Sequence, residues 1–220
     1  MSDQIFQQVP PAGGPWPDLK RNRPPPGAEF ELIPENYFEP LDLAKIFGRV
    51  APLELDLGCG DGGFIVQLAA RLPERNFLGI EKLGGRVLRG CKKAARLGVS
   101  NARFIRIETS YAIQYLVPPG AAEVVHLLFP DPWPKRKHKR RRVVQPEFLQ
   151  SVHRVLAVHG RFRIATDQEK YFTEIREMIL PDMFVEAAPS ASEPFPVTGF
   201  EKHFIAEGAP IYRLELQKTS

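Results

Sequence analysis

The chain has 220 residues, 43% of them hydrophobic and 25% charged, with a formal net charge of +4, enough for one α/β domain with a full core but not for two. No stretch approaches the ~20 apolar residues of a membrane span, and the start Met1-Ser2-Asp3-Gln4 lacks the basic and apolar segments of a signal peptide. Cys59 and Cys91 are the only cysteines, so a disulfide framework is excluded and the expected setting is a reducing cytoplasm without membrane attachment.

In chain order, nine of the 22 prolines fall within the first forty residues. Residues 1–33 are therefore expected to form a proline-rich arm with little regular structure, and residues 34–220 a single domain. Asn36 to Phe47 regains apolar character and reads as a lead-in turn and short helix. From Leu53 on, short apolar runs alternate with helical ones, the pattern of βαβ units around a mostly parallel sheet. Strands are expected at Leu53–Leu57, Asn76–Glu81, Ala102–Ile107, Glu123–Phe129 and Arg161–Ala165, with two closing strands at Met183–Val185 and Ile211–Leu216. That makes seven strands, with helices on both faces. Between them, Phe64, Ile65, Leu68 and Leu72 mark one helix, and Val87, Cys91 and Ala94 a second that closes at Gly98. Pro146 opens a third, at a position where its missing N–H is harmless. Thr166-Asp167-Gln168-Glu169 reads as a capping box for a fourth.

Two stretches carry chemistry. Asp56-Leu57-Gly58-Cys59-Gly60-Asp61-Gly62-Gly63 sits at a strand-to-helix junction, where glycines permit a tight turn and close approach of backbone to a ligand. Glu81 ends the next strand, placed to accept hydrogen bonds from ribose hydroxyls. Gly58, Gly60 and Gly63 also fit the dinucleotide fingerprint. Asp56 and Asp61, however, would repel a pyrophosphate and suit the ammonium or sulfonium of S-adenosylmethionine, which is the favoured reading over a nicotinamide enzyme.

The second stretch runs from Phe129-Pro130-Asp131-Pro132-Trp133-Pro134 into Lys135–Arg142. The last eight residues hold seven Lys/Arg and one His, and without those seven charges the remainder of the chain would stand at −3. A rigid acid, an aromatic ring and a polycation in one loop point to a nucleic-acid base as substrate, with cations to track phosphates. His126 and His153 have no partner at metal-ligand spacing and read as structural, and no Cys/His cluster suggests a metal.

These residues resemble the bacterial-type tRNA (guanine-N7)-methyltransferases. The Phe129–Lys135 run followed by its basic stretch, Thr166-Asp167, and Thr198-Gly199-Phe200-Glu201-Lys202-His203-Phe204 all match that family's motifs, and the resemblance covers about residues 36 to 216. It implies a Rossmann-like class I methyltransferase that uses S-adenosylmethionine to form 7-methylguanosine at tRNA position 46, acting without a partner subunit as a monomer or homodimer. By the same resemblance Asp56, Gly58, Gly60, Glu81 and Asp131 serve the cofactor, and a third acidic contact falls at Glu108, with Tyr111 as the alternative. Lys135, Asp167, Thr198, Gly199, Phe200 and Glu201 match substrate positions, and Lys137, His138, Lys139, Arg140, Arg141 and Arg142 the RNA-contacting stretch. His203 stands where the family has arginine, and Asp56 where it usually has glutamate. Asp131 is the expected catalytic residue, either stabilising charge on the methylated purine or recognising guanine.

Overall fold

In the computed structural model, residues 26–188 and 197–219 are described. The expected arm, apart from its last eight residues, lies outside them. Of those eight, Gly27, Phe30 and Leu32 pack against the domain. Gly27 approaches the backbone of Cys91 so closely that a Cβ would fall 2.6 Å from its carbonyl carbon. Phe30 is buried, and Glu31–Leu32 forms a short strand, β1.

After β1 come α1 (Leu43–Phe47), β2 (Leu53–Leu57), α2 (Gly63–Arg71), β3 (Asn76–Glu81), α3 (Gly84–Leu97) and β4 (Ala102–Arg106). The turn α4 (Thr109–Tyr111) runs directly into a π-helical segment, Ala112–Leu116, ahead of β5 (Ala122–Leu128). The second half contains α5 (Pro146–Val155), β6 (Leu156–Thr166), α6 (Glu169–Met178), β7 (Phe184–Glu186), α7 (Gly199–Ala206) and β8 (Tyr212–Lys218). None of the described helices is long and apolar enough to cross a membrane.

The strands form one sheet in the order β1-β4-β3-β2-β5-β6-β8-β7. The first six pair in parallel, and β8 alone runs against both its neighbours. The sheet thus has eight strands where seven were expected. The extra one is β1, hidden in sequence by the prolines around it, which pairs Glu31 and Leu32 with Phe104 and Ile105 at the edge.

Alternation along β2 explains the layering. Leu53, Leu55 and Leu57 face a core built with α5 and α6, to which Phe148, Leu149, Tyr171 and Ile175 contribute. On the other face α2 and α3 supply Ile65, Val66, Val87 and Cys91 around Phe77 and Phe104. Each such side chain, fully buried, contributes about 1.5–3 kcal/mol. Glu54 and His126 lie on this second face, paired at 2.8 Å with Arg75 on the far carboxylate oxygen, so His126 is structural as expected. Asp56 shares that face, next to His126 in register.

The helix ends correct one expectation and satisfy two. Gly98 closes α3 in the left-handed conformation, and Pro146 sits in the first turn of α5. The capping box expected at Thr166–Glu169 does not form, because α6 starts beyond Gln168 and Thr166 Oγ1 instead accepts from the Gln168 amide at 3.2 Å.

Candidate active site at the carboxyl ends of β2 and β5

The chain leaves β2 toward β3 on one side and enters β5 on the other, so the strand order reverses at β2. A crevice opens at the carboxyl ends of such a pair, where ligands bind in open α/β sheets. Here it is a cleft of about 1160 Å³ whose lining runs from the glycine turn after β2 to the loop after β5 and the start of α7.

The glycine turn forms the floor. Gly58 and Gly60 have φ of 75° and 57°, which a side chain would adopt only under strain, and a Cβ at either would meet nothing within 4 Å. Bare backbone therefore faces the cleft. Gly62 is required for packing as well, since a Cβ there would fall 2.7 Å from the Phe104 ring and 2.8 Å from Gly90. The Gly58 and Cys59 amides both donate to the Ile80 carbonyl, at 2.8 and 3.0 Å. Glu81 is fixed at both oxygens, accepting from the Gly60 amide at 3.2 Å and the Leu83 amide at 2.9 Å.

Asp56 is 3% exposed and Glu81 4%. Burial, and then the Glu81 charge, push the Asp56 carboxyl up to about 7. Among the described residues it has no hydrogen-bond donor. The Cys59 thiol between them is also pushed up, by burial first and then by the two carboxylates, which keeps it protonated and inert. Asp61 is turned outward. Burial opposes its ionisation, but the Lys93 ammonium at 2.6 Å and the Gly63 amide hold it below the usual carboxylate range.

The loop after β5 forms the opposite wall. Phe129 and Trp133 have φ of 52° and 41°, so two bulky residues in left-handed backbone flank Asp131. Such conformations persist only where surrounding contacts enforce them, and the contacts are visible. The Phe129 amide donates to Ala165 O at 2.8 Å, and its ring lies 5.4 Å from Phe204 of α7. Arg142 Nε donates to Pro132 O at 2.6 Å, its guanidinium sits 4.6 Å from the Tyr171 ring, and it pairs with Glu174 of α6, as does Lys139. Asp131 is held exposed on the cleft wall between these anchors. Trp133 lines the cleft beside it, with one face covered by Arg141 at 5.1 Å and its edge by His138 at 5.7 Å.

Of the sequence-predicted residues, Asp56, Gly58, Gly60, Glu81, Glu108, Asp131, Thr198, Gly199, Arg140, Arg141 and Arg142 line the cleft. Between the alternatives for the third acidic contact, Glu108 is in the cleft, whereas the Tyr111 hydroxyl donates to the Tyr37 carbonyl at 2.9 Å. Lys135, Lys137, His138, Lys139, Asp167 and Glu201 do not line it, and the side chain of Phe200 lies outside what is described. Asp167 pairs locally with Gln168. Glu201 completes a capping box with Thr198, accepting from its amide at 3.4 Å while donating its own amide to Thr198 Oγ1 at 3.0 Å, and pairs with Arg213 of β8. Thr198 and Glu201 thus set the start of α7, and only the first of them faces the cleft. Arg142, counted among the RNA contacts, lines the cleft but is 7% exposed and also ties the loop to α6. Sequence reasoning missed Lys82, Arg86 and Arg89, three cations on the β3 side of the cleft.

A family model described as "Putative methyltransferase" matches residues 50–214. A tRNA (guanine-N(7)-)-methyltransferase of Geobacter metallireducens is 33% identical over 201 residues, 87% of this chain and 93% of that protein. One from Leifsonia xyli is 39% identical over 80% of each. One from Thermotoga maritima is 35% identical over 80% of this chain, which spans only 53% of that relative's length. Among solved structures, the aminoglycoside resistance methyltransferase NpmB1 superposes with a TM-score of 0.55 at 16% identity, over 81% of this chain and 92% of that one. A methyltransferase of Streptococcus mutans solved with SAH gives 0.51 at 12% identity, over 82% and 98%. These two establish the fold, a class I methyltransferase fold, and the closer sequences establish the lineage: the chain belongs to the family of bacterial tRNA (guanine-N(7)-)-methyltransferases.

Proposed function

We propose that the protein transfers a methyl group from S-adenosylmethionine to N7 of guanine in tRNA, at the variable-loop guanosine, position 46. One juxtaposition carries the reading. A buried, undonated carboxylate beneath a glycine turn shares a cleft with an exposed carboxylate on a braced loop, Asp131, next to Trp133 and the cations of the same loop. The names of the relatives agree with it.

The residues fit the cofactor. Asp56 and Glu81 offer negative charge and acceptors to an ammonium and a ribose, and the open space over Gly58 and Gly60 admits a ligand against bare backbone. Glu108 supplies a further acceptor on the β4 side. Two adjacent carboxylates would repel a pyrophosphate, which opposes a dinucleotide. Among the described residues no group of His, Cys, Asp or Glu could hold a metal.

S-adenosylmethionine, when bound, supplies an electrophilic methyl. Guanine N7 presents an in-plane lone pair, so the protein needs no general base. Its task is alignment, which can lower a barrier by several kcal/mol, up to about 7–11 in ideal systems. Asp131 faces the acceptor side of the cleft. There it can stabilise positive charge developing on the purine or accept hydrogen bonds from guanine N1–H and the 2-amino group, which adenine lacks at those positions. Arg140 and Arg141 track phosphates flanking the displaced base and help offset the cost of loosening it from the folded RNA. Thr198 and Gly199 close the acceptor side. The protein acts as a monomer or homodimer without an obligatory partner, in the cytoplasm.

The test uses purified protein, unmodified tRNA transcript and methyl-labelled S-adenosylmethionine, with the digested RNA resolved by mass spectrometry. Labelled 7-methylguanosine that disappears when the variable-loop guanosine is replaced supports the proposal. Label in another nucleoside overturns the substrate, and absence of label from protein that binds the cofactor overturns partner-free action.

A further inference from the structure

The loop after β5 is not the only concentration of positive charge. Helix α3 carries five Lys/Arg and no Asp or Glu in its 14 residues. With α3 and residues 135–142 both set aside, the remaining chain would stand at −8. Two segments on an otherwise acidic protein therefore hold its positive charge.

The placement within α3 is ordered. Arg86, Arg89, Lys93 and Arg96 recur at intervals of three, four and three, which at 100° per residue puts them within an arc of roughly 80°. Val87, Gly90, Cys91 and Ala94 are buried on the other side. The stripe runs ~15 Å along the helix at 1.5 Å per residue, and its first two members line the cleft. Like charges at these spacings each cost an isolated helix a few tenths of a kcal/mol, and no acid within α3 relieves them. The acids that face it from other elements are few. Asp61 takes Lys93 at 2.6 Å and Glu81 lies 3.6 Å from Arg86, while Glu29 and Glu31 act on the Cys91 side. Arg89 and Arg96 form no ion pair within 4.0 Å with any described residue, and the acid that acts on Arg89 is Asp61, already held by Lys93.

Sheet order sets this stripe against the loop cations. α3 follows β3 and the basic loop follows β5, on the two sides of β2, so Arg89 and Arg140 bound one cleft from opposite ends. We infer that the exposed face of α3 is a second tRNA-binding surface, a phosphate track that grips the RNA body beyond the cofactor end of the cleft while the loop after β5 grips the strand carrying the target base. A single cluster would fix the strand only locally, whereas two tracks across a cleft orient a large, rigid polyanion.

The inference rests on the proposed RNA substrate and is tested with R89Q/R96Q and the charge-preserving R89K/R96K, all variants checked for an unchanged melting temperature. The readouts are the dissociation constant of unmodified tRNA across a KCl titration and the affinity for S-adenosylmethionine. R89Q/R96Q is expected to weaken tRNA binding about tenfold at moderate salt. It should also flatten the plot of log affinity against log salt by about 1.4–1.8, the loss of two phosphate contacts at ~0.7–0.9 each, with cofactor affinity kept. R89K/R96K should bind as the wild type does. Unchanged tRNA affinity and slope in R89Q/R96Q overturn the inference, as does an equal loss in R89K/R96K. Identifying the nucleoside methylated by the wild type separates the two proposals. Label outside 7-methylguanosine with weakened RNA binding by R89Q/R96Q retains the track and discards the substrate, and normal 7-methylguanosine with wild-type binding by R89Q/R96Q does the reverse.

Discussion

Replacing Asp56 with asparagine should make the unliganded protein more stable at alkaline pH while removing its grip on the cofactor. Asp56 is buried beside Glu81 and its carboxyl stands at about 7 instead of 3.8. Between those two values the folded state binds a proton that the unfolded state has released, so stability falls as pH rises through this window and levels off above pH 7. At 1.36 kcal/mol for each pH unit, the loss by pH 8 is about 4 kcal/mol. An asparagine in this place never ionises and escapes it. Only the part of that window above pH 5 is sampled by urea unfolding of both proteins without cofactor at pH 5 and pH 8, so D56N should gain about 2.7 kcal/mol on the wild type between the two. For a chain of this size that is a relative gain in Tm of about 8 °C. Cofactor binding should move the other way. In the wild type it ejects the proton, so affinity weakens up to tenfold per pH unit below 7, and in D56N it is poor at every pH. A D56N protein whose stability tracks that of the wild type from pH 5 to pH 8 would refute the reasoning.

Four further variants separate the roles around the cleft. Asp131→Ala should lower kcat by roughly 10²–10³, the size of effect seen when one preorganised electrostatic group is lost, with tRNA affinity retained; single-turnover kinetics at saturating RNA would expose a wrong assignment as near-normal kcat. Arg142→Ala should cost about 2–3 kcal/mol in urea unfolding, because it frees Pro132 O, removes the guanidinium packed on Tyr171 and leaves Glu174 with Lys139 alone, whereas Arg140→Ala with Arg141→Ala should leave stability alone and raise KM for tRNA. The opposite pattern would return Arg142 to the RNA contacts. Thr198→Ala removes the N-cap of α7 at a cost of about 1 kcal/mol and should raise KM for tRNA without changing cofactor affinity, measured by calorimetry; unchanged KM would leave α7 with no part in substrate binding.

Where local pattern and tertiary structure agreed, the sequence was easy to read. β2 and β3 occupy the expected residues because the alternating Leu53, Leu55 and Leu57, stopped at Gly58, and the run Phe77–Ile80 have few alternatives. β6 was read five residues short at its start and one at its end. Its first part crosses His159, at φ 62°, and Gly160, and the pairing with β5 slips between Ala122 and Val124. Residues that look like a turn there belong to a bulged strand. The Thr-x-x-Glu pattern occurs twice, at Thr166 and at Thr198, and only the second is a capping box. What decides is where the following helix starts, which depends on packing and not on the four residues themselves. The cofactor end of the site was legible because glycines and carboxylates at a strand end carry their chemistry locally. The cation run was only half legible, since Arg142 and Arg141 are adjacent in sequence but one faces Glu174, 32 residues away, and the other Trp133. The α3 stripe left a signal in its spacing and its lack of acids, masked by the denser run at 135–142.

The position of β8 has a consequence for how the molecule is made. It is the last described strand, yet it lies inside the sheet, between β6 and β7. As the chain emerges from the ribosome, β6 must wait with an unpaired edge until residues 212–218 arrive, and an open edge beside a finished core invites pairing with other chains. Arg213 brings Glu201 with it, so α7 gains its anchor in the same late step. A nascent chain would therefore complete its cofactor floor well before its acceptor wall, and loss of the final strand would yield a sticky, half-built enzyme rather than a slightly shorter one.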